Sequence, residues 1–263
     1  MNSGTAVSRG EVRGRTSRRG RLNAAATART PTLADRVLAA LGAVRDPELD
    51  EPVTSLGFVS SCSVSPAGEV RVLLRLPTYF CAPNFAFLMV ADAYDAVSTV
   101  PGVVSTAIVL EDHFASDAIN GGVAARAGFV ASFDGEAVAE LDQLRADFLR
   151  KAVMAGTDLV CRSLAGAGRA GDDLARMTLR DAPPSAELDR LRRRRAELGL
   201  PAGDDAALVI DPVTGDRVST GQLPLHLRRA RTFRVSMEAN TGICRGMLRH
   251  RYQATGLGEE EAR

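Results

Sequence analysis

The residues best suited to chemistry lie in a short segment that contains Cys81. The segment, Leu76 to Asn84, joins a predicted strand to a predicted helix. A cysteine just before a helix lies near unpaired N–H groups and the positive end of the helix dipole, which favour the thiolate. Because the thiolate is the form that binds metal ions and attacks electrophiles, Cys81 is a candidate for either role. The alternative is a buried cysteine that acts only as a small apolar residue.

Two carboxylates, Asp46 and Glu48, stand on either side of Pro47, just after another predicted helix. Such a pair is able to bind a hard metal ion, to accept a proton, or to hold the Cys81 segment through hydrogen bonds. The alternative is a turn that ends the helix and leaves both acids in solvent.

Cys244 is the third candidate, in the small, polar, glycine-containing segment from Asn240 to Gly246. The segment is able to approach Cys81 and add a second ligand, or it is an ordinary turn whose thiol has no role. We expect Cys62, on the first strand, and Cys161, on a long helix, to be core residues.

Hydrophobic periodicity predicts the elements that position these residues. A first helix begins after Thr32 as N-cap and ends before Pro47. Strands are predicted over Phe58–Val64, Val70–Leu76 and Val103–Leu110, and a helix over Phe85–Val97. This order predicts a fold that mixes helices and strands, α/β in the broad sense, with a two-layer α+β arrangement. A small α-β-β-α-β domain is followed by a mainly helical region.

The sequence divides into five predicted segments. Residues 1–32 are predicted to be a disordered Arg-rich tail, because they carry seven arginines and almost no large apolar residue. Residues 33–112 form the small domain and 113–128 a glycine- and alanine-rich linker. Residues 129–255 are predicted to be mainly helical, and 256–263 to be a second disordered tail.

Within the helical region, apolar spacing predicts a long helix to about Leu164 and a later helix that carries Arg192–Arg195 as a solvated face. Leu208 to Ser219 is predicted to be a pair of strands. Leu223 to Tyr252 is predicted to be of mixed structure.

The composition excludes several classes of protein. The 263 residues are 45% hydrophobic and 25% charged, which is typical of globular proteins. No apolar run is long enough to span a membrane and no signal-peptide pattern is present, so we expect a cytoplasmic protein with reduced thiols. The arginine runs lack interleaved aromatic residues, so nucleic-acid binding is not expected. P-loop, GxSxG, HExxH and GxGxxG motifs are absent, which leaves the corresponding enzyme classes without support.

Several short motifs follow one another in a fixed order along the first part of the chain: Asp46, Pro47, Glu48, Leu49, Val53, Leu56, Gly57, Phe58, Val59, Pro77, Thr78, Tyr79, Cys81, Pro101, Gly102 and Val103. In combination and order, these residues resemble the iron–sulfur cluster assembly domain of the SufT and PaaD type. The similarity covers about residues 33–112, and the lead-in to the cysteine is most similar to the PaaD branch. The resemblance implies that Cys81 is the family's cysteine and that Asp46, Glu48 and Thr78 belong to the same cofactor-binding site.

The resemblance also implies a function. It predicts a maturation factor, not an enzyme, that binds iron or an iron–sulfur cluster transiently and helps to install an iron–sulfur or di-iron centre in a client metalloenzyme. The PaaD branch implies that the client is a component of a bacterial multicomponent monooxygenase, and residues 129–255 are predicted to bind it. Cys81 and Cys244 are the candidate metal ligands. The alternative function is an adaptor or folding chaperone for an oxygenase subunit, which needs no metal.

The cysteines cannot complete a cluster in one chain. A cluster normally needs four protein ligands, and the spacing of the four cysteines matches no known cluster motif. A second copy of Cys81 in a homodimer, or the client's own ligands, would complete the set.

Overall fold

A capping box starts the first helix, α1, which spans Leu33–Leu41. The Thr32 hydroxyl oxygen accepts a hydrogen bond from the Asp35 backbone N–H at 3.1 Å, and the Asp35 carboxylate accepts one from the Thr32 N–H at 2.8 Å. Two N–H groups that a helix start leaves unpaired are thereby satisfied. The prediction of Thr32 as N-cap is confirmed.

The structure is a computed structural model that describes residues 30–133, 135, 137–169 and 171–253. The predicted tail 1–32, apart from its last three residues, and the predicted tail 256–263 lie outside these ranges. The described residues from Pro31 onward belong to one compact unit. Within the described ranges, no helix combines the length and the apolar character needed to cross a membrane.

A three-stranded mixed sheet forms the centre of the first part of the chain. Its strands are β1 (Val59–Val64), β2 (Glu69–Arg75) and β3 (Ser105–Glu111), in that order. Strands β1 and β2 are antiparallel, whereas β2 and β3 are parallel, so the chain crosses over through helix α3, Pro83–Ser98. Alternate residues of β2 are buried against the helices, as the alternation of the sequence predicts. The α+β class and the α-β-β-α-β order are confirmed.

Residues 113–128, for which the sequence predicts a linker, contain helix α4, Ser116–Ala124. Ile119 on this helix is fully buried in the same core as the sheet. The Asn120 side chain accepts a hydrogen bond from the Leu110 N–H at 2.8 Å and donates one to the Leu110 carbonyl at 3.0 Å. The segment therefore packs on β3. Two one-turn helices, α2 (Val53–Leu56) and α5 (Phe129–Ser132), flank the same core.

A second hydrophobic core lies among the helices of the later residues. These helices are α6 (Asp142–Gly166), α7 (Asp172–Arg176), α8 (Ala186–Glu197) and α9 (Leu223–Gln253), with a short 3-10 turn at Leu179–Asp181. The predicted strand pair between Leu208 and Ser219 is wrong, because the described backbone there forms only an isolated bridge between Ile210 and Arg217. The prediction of mixed structure after Leu223 is also wrong, since that stretch is one helix of 31 residues.

The run Arg192–Arg195 is not a solvated face, because its last two side chains are buried. Arg195 lies in the second core and donates hydrogen bonds to the carbonyl oxygens of Ala207 and Leu208, at 2.8 and 2.6 Å. Arg194 donates to the Asp50 carboxylate at 2.6 Å. Arg194 finds its acceptor in a turn distant in sequence, whereas Arg195 finds its acceptors 12 and 13 residues further along the chain, and these bonds permit both guanidinium groups to be buried.

Helix α9 contributes to both cores. Leu223, at its start, is buried in the second core, whereas Leu248, near its end, is buried in the first. Arg251 donates hydrogen bonds to the carbonyl oxygens of Leu76, at 3.1 Å, and Asp112, at 2.7 Å. The end of α9 is therefore attached to the two chain segments that follow β2 and β3.

Candidate functional site

Cys81 lies at the start of α3, as its sequence position predicts. Helix α3 begins at Pro83 with Ala82 as N-cap, so Cys81 directly precedes the cap. Its side chain is half-buried, and its sulfur lies 3.3 Å from the Thr78 hydroxyl oxygen. A thiolate at this position would accept a hydrogen bond from that hydroxyl. The two residues therefore form one local unit within a four-residue segment.

His113 is the residue of this site whose role the sequence does not indicate. Its ring is buried, its Nε2 lies 2.7 Å from the Cys81 carbonyl oxygen, and its Nδ1 accepts a hydrogen bond from the Ala115 N–H at 3.2 Å. Because a carbonyl only accepts, Nε2 carries the proton and the ring is neutral. Burial lowers the pKa of His113, and the nearby Arg251 lowers it further, against the opposing effect of the bond to Cys81. A neutral, buried histidine thus fixes the backbone of Cys81.

Asp46 and Glu48 lie in the turn after α1. The buried Asp46 carboxylate accepts hydrogen bonds from the backbone N–H groups of Glu48 and Leu49, both at 2.9 Å. Burial raises the pKa of Asp46 to about 6, these two hydrogen bonds oppose the rise, and the charge of Glu48 adds to it. Asp46 is therefore a carboxyl group that can exchange a proton close to neutral pH.

Cys244 and Asn240 reach this turn from helix α9. The Asn240 side-chain amide donates a hydrogen bond to Glu48 Oε1 at 3.2 Å. Cys244 is half-buried, and burial raises the pKa of its thiol to about 11, with further contributions from the negative charges of Asp46, Cys81 and Glu48. Cys244 and Cys81 both pack against the first core. The segment from Asn240 to Gly246 is helical, so the prediction of a turn there is wrong, whereas the role of the Cys244 thiol stays a prediction.

Among the predicted site residues, Thr78 contacts Cys81, and Glu48 contacts Asn240 on α9, the helix that carries Cys244. Among the residues it describes, no group of three or more His, Cys, Asp and Glu side chains is arranged to hold a metal ion. Cys161 is buried in the second core, where burial raises its pKa to about 12. Cys62 packs against the first core from β1, and burial raises its pKa as well. Cys81 and Cys244 are the two thiols that the sequence singles out as candidate metal ligands, and an iron–sulfur cluster normally needs four protein ligands.

A comparison with known families identifies the first part of the chain. The family model described as "Iron-sulfur cluster assembly protein" matches residues 34–109. This segment is an iron–sulfur cluster assembly domain. The resemblance inferred from the residues around Cys81 is thereby confirmed, for the N-terminal segment. No curated protein and no solved structure matches the chain.

The assembly domain contains some of the site residues and lacks others. Asp46, Glu48, Thr78 and Cys81 lie within the matched residues 34–109. His113 and Cys244 lie beyond them, on the segment after β3 and on α9. The assembly domain indicates a role in metal-cluster assembly, which in general involves client proteins. Cys244 therefore lies outside the assembly domain, on the C-terminal helix.

Proposed function

We propose that this protein is a maturation factor that carries iron or an iron–sulfur cluster on Cys81 and transfers it to a client metalloenzyme. The observation that carries the proposal is the half-buried Cys81 thiol at the start of α3, with the Thr78 hydroxyl 3.3 Å from its sulfur, inside an assembly domain. The iron or iron–sulfur cluster that the protein transfers is its cargo. The Cys81 thiol therefore has to bind this cargo and also to release it. A site with few ligands and partial exposure suits both steps.

Cys244 is the second ligand in this proposal. Each thiol that becomes a ligand loses its proton, and a pKa of about 11 means that Cys244 keeps its proton until cargo arrives. Asp46, with a pKa of about 6, supplies a nearby carboxylate that can take up a proton as the cargo binds. The Asn240–Glu48 hydrogen bond holds α9, and therefore Cys244, beside the turn that contains Asp46.

The protein acts on its cargo without catalysing a reaction of its own, and other molecules complete the ligand set. Two thiols per chain leave about half of the four ligands of a cluster to be supplied by the client or by a second copy of the chain. The lead-in to Cys81 supports a client of the multicomponent monooxygenase class. The helices after residue 129 contribute a further part of the surface that recognises that client, in the cytoplasm.

Anaerobic reconstitution of the full chain with ferrous iron and sulfide tests this proposal. We expect the unchanged protein to gain protein-bound iron and thiolate-to-iron charge-transfer absorption, and Cys81→Ser to lose both. Cys62→Ser is the matched control, because that thiol is also half-buried and lies at the core side of β1. If Cys81→Ser binds as much iron as the unchanged protein, the carrier role is wrong and an adaptor or folding chaperone without metal is the better description.

A further inference from the structure

Three aromatic side chains form an exposed cluster directly beside Cys81. The exposed fractions are 46% for Tyr79, 76% for Phe80 and 48% for Phe114. Ring centroids lie 5.0 Å apart for Tyr79 and Phe80, 5.9 Å for Phe80 and Phe114, and 6.4 Å for Tyr79 and Phe114. Large aromatic residues are seldom left in solvent together, and a contiguous patch of them marks an interaction surface.

The cluster is fixed relative to the Cys81 sulfur. Tyr79 and Phe80 precede Cys81 in the same segment, and the Phe114 N–H donates a hydrogen bond to the Tyr79 carbonyl oxygen at 3.1 Å. The neighbouring His113 holds the Cys81 carbonyl at 2.7 Å. These two hydrogen bonds join the segment that contains Tyr79, Phe80 and Cys81 to the segment that contains His113 and Phe114. The three rings are therefore held in place relative to the Cys81 thiol. Such a preorganised surface loses little entropy when a partner binds.

The size of the cluster suits a partner that leaves again. Each aromatic side chain can bury about 150–250 Å², so the exposed parts of these three together offer on the order of 300–400 Å². A stable complex buries about 800 Å² on each partner. The cluster therefore supports a short-lived contact better than a permanent dimer.

We propose that the cluster of Tyr79, Phe80 and Phe114 is the surface on which the protein that accepts the cargo docks. This inference rests on the proposed carrier function. A cysteine of the acceptor has to come within bonding distance of metal held on Cys81, about 2.3 Å for a metal–sulfur bond, so the acceptor's surface must cover the adjacent rings. The cluster carries no charged side chain, so the complementary surface is apolar and surrounds the acceptor's own cysteine ligands.

Cargo transfer from the loaded full chain to an apo [2Fe–2S] ferredoxin tests this inference. We expect Phe80→Ser to load as much iron as the unchanged protein but to transfer it about tenfold more slowly at low acceptor concentration, since buried aromatic anchors dominate interface energies. Release of iron to a small chelator, which needs no docking surface, should keep its rate. Val213→Ser is the matched control, because Val213 is also an exposed apolar residue, at 69%, and lies in a different part of the fold.

Failure of the inference is distinguishable from failure of the carrier function. If the unchanged protein binds no iron, the carrier function is wrong and the inference falls with it. If Phe80→Ser loads normally and transfers at the unchanged rate, or if the unchanged protein gives the ferredoxin its cargo no faster than it releases it to solvent, the docking role alone is wrong. The docking inference would also be overturned if the unchanged protein forms a concentration-dependent dimer in sedimentation experiments and Phe80→Ser does not. The cluster would then be a contact between two copies of the chain.

Discussion

The Asn240 side chain on helix α9 donates a hydrogen bond to Glu48 in the turn after α1, with 3.2 Å between Nδ2 and Oε1. The two residues are far apart in sequence, and only one of them lies in the assembly domain. This contact connects the C-terminal helix with the carboxylate turn, and Cys244 lies one helical turn further along α9.

Removal of the contact should loosen α9 from the turn. We expect Asn240→Ala to lower the free energy of unfolding by about 1 kcal/mol, the usual net contribution of a hydrogen bond to a charged acceptor at a partly exposed site. Denaturant titration measures the change. Ser236→Ala, an exposed polar position on the same helix, is the control for the gain in helix propensity, and it should lose nothing. Equal stability of the two variants would show that the contact has no energetic role.

Asp46 should make the stability of the fold depend on pH. Burial raises its pKa from 3.8 to about 6, so the folded state binds this proton more tightly than the unfolded state. The associated stabilisation is complete below about pH 4 and is lost as the pH rises through about 6, an effect of about 3 kcal/mol. Asp46→Asn keeps an oxygen that accepts from the N–H groups of Glu48 and Leu49 but cannot ionise. Relative to this variant, the unchanged protein should lose stability between pH 4 and pH 6 in denaturant titrations, and parallel profiles would contradict the assignment.

The thiol of Cys244 should react slowly with alkylating agents. A pKa of about 11 leaves about one thiolate in a thousand at pH 8, so we expect iodoacetamide to modify Cys244 far more slowly than a free thiol. Asp46→Asn removes one nearby negative charge and should raise the rate severalfold, with burial still limiting it. Peptide mass spectrometry follows each cysteine separately. Cys161, in the second core, is the internal control whose rate must not change, and a Cys244 as reactive as free cysteine would disprove the packing described above.

His113 should be needed to present Cys81, because its ring holds the Cys81 backbone. His113→Ala leaves the Cys81 carbonyl and the Ala115 N–H without their partners, so we expect a loss of about 3 kcal/mol in unfolding free energy. His113→Gln keeps a donor and an acceptor on the side chain and should lose less. Iron loading in the reconstitution assay should fall in the same order.

The control for this histidine is His250→Ala, an exposed position on α9 that should change stability by less than about 0.5 kcal/mol. If His113→Gln folds with full stability and yet loads no iron, the imidazole has a direct part in binding the cargo and the positioning role is insufficient.

Local patterns in the sequence were enough to predict the assembly domain. The capping residues of α1, the alternation of β2 and the position of Cys81 before α3 all depend on neighbours within a few residues. Signals of this range are readable because helix and strand periods and caps are short-range properties of the chain. The motifs around Cys81 also carried the family resemblance.

The C-terminal helix shows what the sequence could not reveal. Gly242, Gly246 and Thr241 disfavour a helix interior, so the local pattern of this region favours a mixture of elements. In the folded protein the helix is continuous because it packs on α6 and contributes to two cores, and this packing outweighs the local propensities.

The features of the candidate site therefore fall into two groups, those that the sequence indicates and those that depend on tertiary packing. The sequence by itself determined the assembly domain and singled out Cys81, Thr78, Asp46, Glu48 and Cys244 as candidates. Only the tertiary structure decided that Asn240, one helical turn before Cys244, contacts Glu48, that His113 holds the Cys81 backbone and that Arg195 is buried. Each of these three depends on a partner group that tertiary packing brings into contact, and no local pattern encodes that contact.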